Sequence, residues 1–233
     1  MAKIFQATHV GKVRHNNEDS LIVIEPETFV VADGMGGAQA GEVASQMLVE
    51  TVRNFLMKTP LPWDEKILSQ AIFLANEKIL NLARQNENYR GMGTTATILS
   101  IDGKRAYFAH VGDSRIYQLR NNSLAQITED HSYVETLVRH GEITPEQARV
   151  HPMKNVLTQA VGAVEQIYID QANFPVEHGD IFLLCTDGLT NMVDDMTISK
   201  ILQTAPNPAA TLIDAALNAG GRDNISVIVI GVD

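Results

Sequence analysis

Five short segments of this chain set a carboxylate at the edge of an apolar run. Val30-Val31-Ala32 leads into Asp33-Gly34-Met35-Gly36-Gly37, and Phe182-Leu183-Leu184-Cys185-Thr186 into Asp187-Gly188. Ala109-His110-Val111 leads into Gly112-Asp113-Ser114-Arg115. Gly220-Gly221-Arg222-Asp223-Asn224 stands just before Ile225–Ile230, and Asn16-Asn17-Glu18-Asp19 just before Ser20–Ile24. Any one of these reads as turn chemistry, since Asp-Gly favours turns and Asp caps helices. Five in one chain, each at the mouth of a core strand, ask for more. Packed carboxylates repel, and none can be buried unpaired. The cations in or beside these segments are few: Arg14, Arg115 and Arg222. A divalent ion such as Mg2+ or Mn2+ meets the need, because hard cations take oxygen ligands and keep several waters. The glycines let backbone carbonyls approach an ion and a substrate approach the backbone.

Other chemistries find less support. Cys185 is followed six residues on by Asn191 rather than arginine, so the Cys-x5-Arg phosphate loop is missing, and Cys185 reads as a core residue. No Asp-x-Asp stands ready for an aspartyl-phosphate route, and the seven histidines show no zinc spacing. His110 sits in a strand and reads as packed rather than ligating. Gly91-Met92-Gly93 lacks the Gly-Lys-Ser/Thr that completes a phosphate loop.

The elements that must position the acids follow from periodicity. Strands are predicted at Lys3 to Gly11, Ser20 to Ile24 and Thr28 to Ala32. A helix follows with Val43, Ala44, Met47, Leu48, Val52, Phe55 and Leu56 on one face, ended by Pro60 and Pro62. A second starts near Trp63-Asp64, with Ile67, Leu68, Ala71, Ile72, Ala75, Ile79 and Leu82 on its stripe. Gly93 to Ile101, Arg105 to Val111 and Arg115 to Leu119 read as strands whose short links imply antiparallel hairpins. Thr128 to Gly162 is polar and broken, with helices at Ser132 to Arg139 and after Thr144-Pro145. Further strands are predicted at Ile167 to Gln171 and Ile181 to Cys185, helices near Asp195 to Leu202 and Asn207 to Ala219, and a last strand at Ile225 to Ile230. The order gives an α/β protein with mostly antiparallel sheet and paired helices covering it.

Length and charge agree with one globular unit. The 233 residues are 45% hydrophobic, and repeats or linkers that would divide them are not evident. A net charge of −10 argues against nucleic acid and anionic membranes as partners. No apolar run approaches the roughly 20 residues that span a bilayer. The N-terminal ten residues hold no signal-like apolar stretch, and the single cysteine fits a reducing compartment, so a soluble cytoplasmic protein is expected.

Six motifs in order make the chain similar to the bacterial metal-dependent serine/threonine protein phosphatases of type 2C. They are Arg14 with Asn17-Glu18-Asp19, Asp33-Gly34-Met35-Gly36-Gly37, Gly93-Thr94-Thr95, Gly112-Asp113-Ser114-Arg115, Asp187-Gly188 and Gly221-Arg222-Asp223-Asn224. The resemblance implies a single catalytic domain over 1–233. Its fold would be a four-layer α-β-β-α sandwich of two mainly antiparallel sheets flanked by helix pairs. It implies two Mn2+ or Mg2+ ions, bridged by Asp33, with the Gly34 carbonyl on one ion and Asp187 and Asp223 on the other. Asp19, with Glu18 behind it, would act through metal-bound water, and Arg14 would grip the substrate phosphate. Asp113 with Asp187 would hold a third, weaker ion, Asn224 would support Asp223, and 128–162 would be a flap beside the site. The implied substrates are phosphorylated proteins, with a Ser/Thr kinase and its targets as partners; nothing in the sequence points beyond a monomer, which is expected. One residue departs from the family pattern. The position after Gly37, where relatives carry a histidine suited to protonate the leaving group, is Ala38. That departure raises an alternative: a weakly active or inactive member serving as a metal- and phosphoprotein-binding regulatory module.

Overall fold

A computed structural model describes residues 3–37 and 40–233. Eleven strands and seven α-helices appear among them. The first sheet has the order β1 (Lys3–His9), β11 (Ile225–Gly231), β10 (Ile181–Cys185), β7 (Arg115–Arg120), β8 (Ser123–Gln126). The second runs β2 (Asp19–Ile24), β3 (Thr28–Met35), β5 (Ala96–Asp102), β6 (Arg105–Val111), β9 (Asp170–Pro175), with β4 (Gly93–Thr94) paired to the end of β3. The paired strands run antiparallel throughout both sheets.

Strand residues of alternate parity enter different cores. Phe29 and Val31, with Leu99 and Phe108 of their own sheet, face the other sheet and meet its Ile116, Phe182, Leu184, Ile228 and Ile230. Val30 and Ala32 face the opposite way, against Ala44, Leu48, Val52, Leu68, Ile72 and Ile79. Those last six belong to α1 (Ala40–Leu56) and α2 (Glu65–Gln85). Leu183, Val227 and Val229 pack on Ile198, Leu202, Leu212 and Ala216 of α6 (Asp195–Thr204) and α7 (Pro208–Asn218). Period-2 side chains buried on both faces thus build four layers, helix pair, sheet, sheet and helix pair. The helix ends follow local signals. Asp64 accepts from the Lys66 and Ile67 amides to start α2, and Thr144 forms a reciprocal capping box with Gln147 to start α4 (Pro145–Val150).

Four local expectations change. β3 does not stop at Ala32; it runs through Asp33 and Gly34 to Met35, because β4 gives its last residues a partner. Gly93 to Ile101 is two strands, broken at Thr95. The strand expected at Ile167 to Gln171 is β9 at Asp170–Pro175, set by its pairing with Arg105–His110 rather than by its own apolar residues. Polar β8 and the one-turn α5 (Asp187–Thr190) carry no periodic signal that would reveal them. Among the described residues no helix is long and apolar enough to cross a membrane. Residues 128–162 form an excursion from the sheets, holding α3 (Tyr133–Arg139) and α4 and closed by bridges Ser132↔Leu157 and Thr94↔Val161.

Candidate active site

Neighbouring strands bring the first two acids together. Asp19 on β2 stands directly opposite Asp33 on β3 in the antiparallel register. The backbone of Asp33 is held on both sides by Thr95, whose hydroxyl accepts from the Asp33 amide at 2.8 Å and whose amide donates to the Asp33 carbonyl at 2.8 Å. Gly34 comes next, and its bareness has a definite cause. A Cβ there would lie 2.1 Å from the Gly41 carbonyl oxygen of α1 and 2.5 Å from the Glu18 carbonyl oxygen. The glycine admits backbone of the protein itself, which lets α1 close down beside the strand.

The other acids arrive from the first sheet. Asp187 opens α5 just past β10, and Asp223 lies just before β11. Gly188 permits their approach, since a Cβ on it would meet the Asn224 carbonyl oxygen at 1.8 Å. Asp187 Oδ2 accepts from Asn191 Nδ2 at 2.8 Å. Asp223 Oδ2 accepts from Arg14 Nη2 at 2.9 Å, and its Oδ1 accepts from the Asn224 amide at 2.9 Å. Asn224 does more than support Asp223. Its Oδ1 accepts from the Glu18 amide at 2.8 Å, and its Nδ2 donates to the Val10 and Asn16 carbonyls, both at 2.9 Å. One buried carboxamide therefore pins the whole loop that presents Arg14 and Glu18.

These residues line one cleft of about 190 Å³. Arg14, Glu18, Asp33, Gly34, Asp113, Asp187, Asp223 and Asn224 all contribute, with Asn155 and Leu157 of the 128–162 excursion on its wall. Asp19 is buried beneath it. Ala38 lies outside the described residues.

The electrostatics are those of acids without enough counter-charge. Burial, reinforced by Asp19, Asp187, Asp113 and Asp223, pushes the Asp33 carboxyl well above the usual range. Asp19 rises to about 7, mainly through burial and with the help of Asp187 and Asp223, against its hydrogen bond from Thr186. Asp187 rises to about 6 by burial and by Asp223, drawn back in part by a hydrogen bond with Asp33. Asp113 is raised by burial, Asp187 and Asp130. Arg14 is raised through its bond to Asp223. Asp19 Oδ2 accepts from Thr186 Oγ1 at 2.9 Å, but its Oδ1 is buried with no partner. A buried, unpaired carboxylate oxygen facing further carboxylates fits a cation that supplies the missing charge. No three Asp, Glu, His or Cys side chains among the described residues close on a single point. The donors are spread instead along the cleft, as suits hard ions that take one or two carboxylates each and keep water for the rest.

Comparison with known proteins agrees with this chemistry. The sequence profile described as Protein phosphatase 2C matches residues 9–219. The chain belongs to the protein phosphatase 2C family. It is 39% identical over 237 residues to the protein phosphatase PhpP of Streptococcus pneumoniae, covering 97% of this chain and 96% of that protein. It is 40% identical over 237 residues to the serine/threonine phosphatase stp of Listeria monocytogenes, covering 97% and 94%. The catalytic domain of serine threonine protein phosphatase PstP, crystallised with 2 manganese ions, superposes with a TM-score of 0.91 at 36% identity, covering 100% of this chain and 99% of that one.

Within this 2C-family site the sequence left several supporting residues without a role. Thr95 fixes the Asp33 backbone, Thr186 orients Asp19, and Asn191 orients Asp187. Each is adjacent to an acid in space. Thr186 also precedes one in sequence, and Thr95 closes the Gly93-Thr94-Thr95 motif, but neither signal gave the residue its role. Cys185 is fully buried and its thiol is pushed up to about 12, chiefly by burial, so thiolate chemistry has no place here.

Proposed function

We propose that this protein hydrolyses phosphoserine and phosphothreonine in protein substrates by direct attack of water, forming no phosphorylated residue of its own. It is a protein-serine/threonine phosphatase and it is metal-dependent. The observation that carries the reading is the cleft itself: Asp33, Asp113, Asp187 and Asp223 around one arginine, over a buried Asp19 with an unpartnered oxygen. When bound, a pair of Mn2+ or Mg2+ ions supplies water ionised near neutrality and neutralises the phosphoryl oxygens.

In this reading Asp33 and the Gly34 carbonyl would hold the ion pair together with Asp187 and Asp223, and Asp113 with Asp187 would hold a third, weaker ion. Asp19 and Glu18 orient the attacking water from the β2 side, Asp19 through the carboxylate that Thr186 fixes. Arg14 takes the phosphate. Its side chain is half open to solvent, and one edge rests on Asp223, leaving further N–H donors of the planar fork for phosphate oxygens. Asn224 keeps that arginine's loop in register. The 128–162 excursion serves as the flap: it supplies Asn155 and Leu157 to the cleft and walls a neighbouring cavity of about 280 Å³ with Val134, Val138 and Ala148. The whole chain acts as one catalytic domain, as a cytoplasmic monomer opposing a Ser/Thr kinase.

The test is phosphate release from a phosphothreonine peptide and from an aryl phosphate, with and without Mn2+. Metal-dependent turnover of both, lost in Asp33→Asn, is the expected result. Binding of the peptide with no turnover would favour a regulatory module instead.

A further inference from the structure

Two buried histidines meet at the corner that carries Asp113. β6 ends at Val111, β7 begins at Arg115, and Gly112 and Asp113 turn between them. The Gly112 carbonyl accepts from the His131 amide at 2.7 Å and lies 3.0 Å from His110 Nε2. The Gly112 amide donates to His131 Nδ1 at 3.2 Å. On the far side of that ring, Nε2 is 3.0 Å from Asp170 Oδ2 at the start of β9. His110 Nδ1 is 2.9 Å from Thr97 Oγ1. The two rings tilt against each other with centroids 5.1 Å apart.

These partners fix the protons. A carbonyl only accepts, so His110 carries its hydrogen on Nε2 and takes the Thr97 hydroxyl on Nδ1. An amide only donates, so His131 is bare on Nδ1 and carries its hydrogen on Nε2, toward Asp170. His110 is held neutral: burial, with His131 beside it, pushes it down to about 3. His131 also roots the excursion. Its carbonyl accepts from the Thr158 amide at 2.8 Å, and the next residue, Ser132, bridges to Leu157. His131 thus joins the base of 128–162, the start of β9 and Gly112, the residue immediately before Asp113.

We propose that His131 is a positioning residue: by accepting the Gly112 amide it sets the Asp113 carboxylate for the outer metal ion, and Asp170 holds the ring in the tautomer that can accept. The proposal rests on the assignment of Asp113 to an ion. Without the Nδ1 acceptor the Gly112 amide becomes a buried donor with no partner, and the corner must rotate to satisfy it. Partners one step behind a metal ligand commonly matter in this way.

Two substitutions separate the ring's contacts. The asparagine oxygen reaches where Nδ1 sits, and the glutamine carboxamide reaches where Nε2 sits. His131→Asn therefore keeps an acceptor for Gly112, while His131→Gln keeps only the Asp170 contact. Mn2+ binding is followed by calorimetry on these variants, on wild type and on Asp113→Ala, with thermal unfolding alongside. His131→Gln should weaken the weakest Mn2+ step about tenfold or more, as Asp113→Ala should, with the tighter steps unchanged. His131→Asn should stay close to wild type. Nitrogen-15 NMR of the wild-type histidines, which needs no variant to fold, should show both rings protonated on Nε2 and bare on Nδ1. A His131 protonated on Nδ1 overturns the proposal, as do equal effects of Asn and Gln, or a wild-type response in His131→Gln where Asp113→Ala is impaired. If Asp113→Ala changes no Mn2+ step, the assignment of Asp113 has failed and the proposal falls with it.

Discussion

The two ends of β10 treat their aspartates in opposite ways. Asp180 precedes the strand and is 1% exposed. Arg120 grips it with both edges, Nε on Oδ1 at 2.7 Å and Nη2 on Oδ2 at 2.6 Å. Gln118 and the Glu177 amide donate to it as well, at 3.1 Å and 2.9 Å. Burial alone would raise this carboxyl, but the Arg120 and Glu177 bonds outweigh it and hold it below the usual range. Asp187, two residues past the other end, faces Asp33, Asp113 and Asp223 and is pushed up to about 6, chiefly by burial. An acid meant to stay ionised for the fold is given its cation by the fold. No arginine grips Asp33 or Asp187 in the cleft, and that shortfall suits an added metal ion. Their energetic consequences should differ accordingly, in stability at one end and in metal binding and turnover at the other.

Chelation is the most severe way to break the contrast. Removing divalent ions should abolish hydrolysis of p-nitrophenyl phosphate, and Mn2+ should restore it, while the Asp180 end needs no metal; full activity in chelator would end the two-ion reading. Asp33→Asn comes next. Several kcal/mol of charge stabilisation are at stake, so kcat should fall about a thousandfold. The metal-free variant should melt no lower than metal-free wild type, since the cost of burying that acid among Asp19, Asp113, Asp187 and Asp223 has gone. Arg120→Leu reverses the pattern: stranding Asp180 should cost about 3 kcal/mol in urea unfolding. Activity per folded molecule should stay near wild type, and a matching loss of kcat would erase the distinction between the two ends. Asp113→Ala should raise the Mn2+ needed for half-maximal turnover about tenfold, read by titrating activity against metal.

The smallest effect lies in pH and carries opposite signs at the two ends. Asp19, Asp33 and Asp187 bind protons more tightly in the metal-free fold than in the unfolded chain, with Asp19 and Asp187 at about 7 and about 6. Their contribution to stability is therefore lost as pH rises from the ordinary carboxylate value of about 4 through those values. Asp180 contributes stability above the ordinary carboxylate value and loses it as pH falls through its lowered one. In chelator, the urea midpoint should rise on acidification from pH 8 to pH 5 and fall below about pH 4. Saturating Mn2+ should flatten or reverse the upper limb, because the ions need deprotonated ligands. A midpoint in chelator that is flat from pH 5 to pH 8 would mean that the cleft acids are not raised enough to outweigh buried His110, whose lowered value costs stability on acidification.

The amino-acid order alone was enough to determine the kind of site and most of the frame. Acids beside glycine at the edges of apolar runs pointed to a divalent ion, because the cations to pair them are few in the same segments. The stripes of α1 and α2 and the run Ile225–Ile230 were legible because helix and strand periodicities are local. Ile181–Cys185 was read with its observed bounds. Tertiary structure decided what depends on partners distant in sequence. β3 gains its last residues from β4, some 60 positions on, and β9 takes its bounds from pairing with β6. Gly34 is bare because the Gly41 and Glu18 carbonyls press on it, so its role is packing of the protein on itself as much as access to the cleft. Asn224 looked like a neighbour of Asp223, yet it fastens the loop of Arg14 across more than 200 positions. That Asp180 is paired and Asp187 is not is equally invisible in the chain, where both are an acid beside a glycine at the end of the same strand. Residue types fix which charges exist; only the fold decides which of them find a partner, because pairing is set by distances across strands and loops that sequence spacing does not encode.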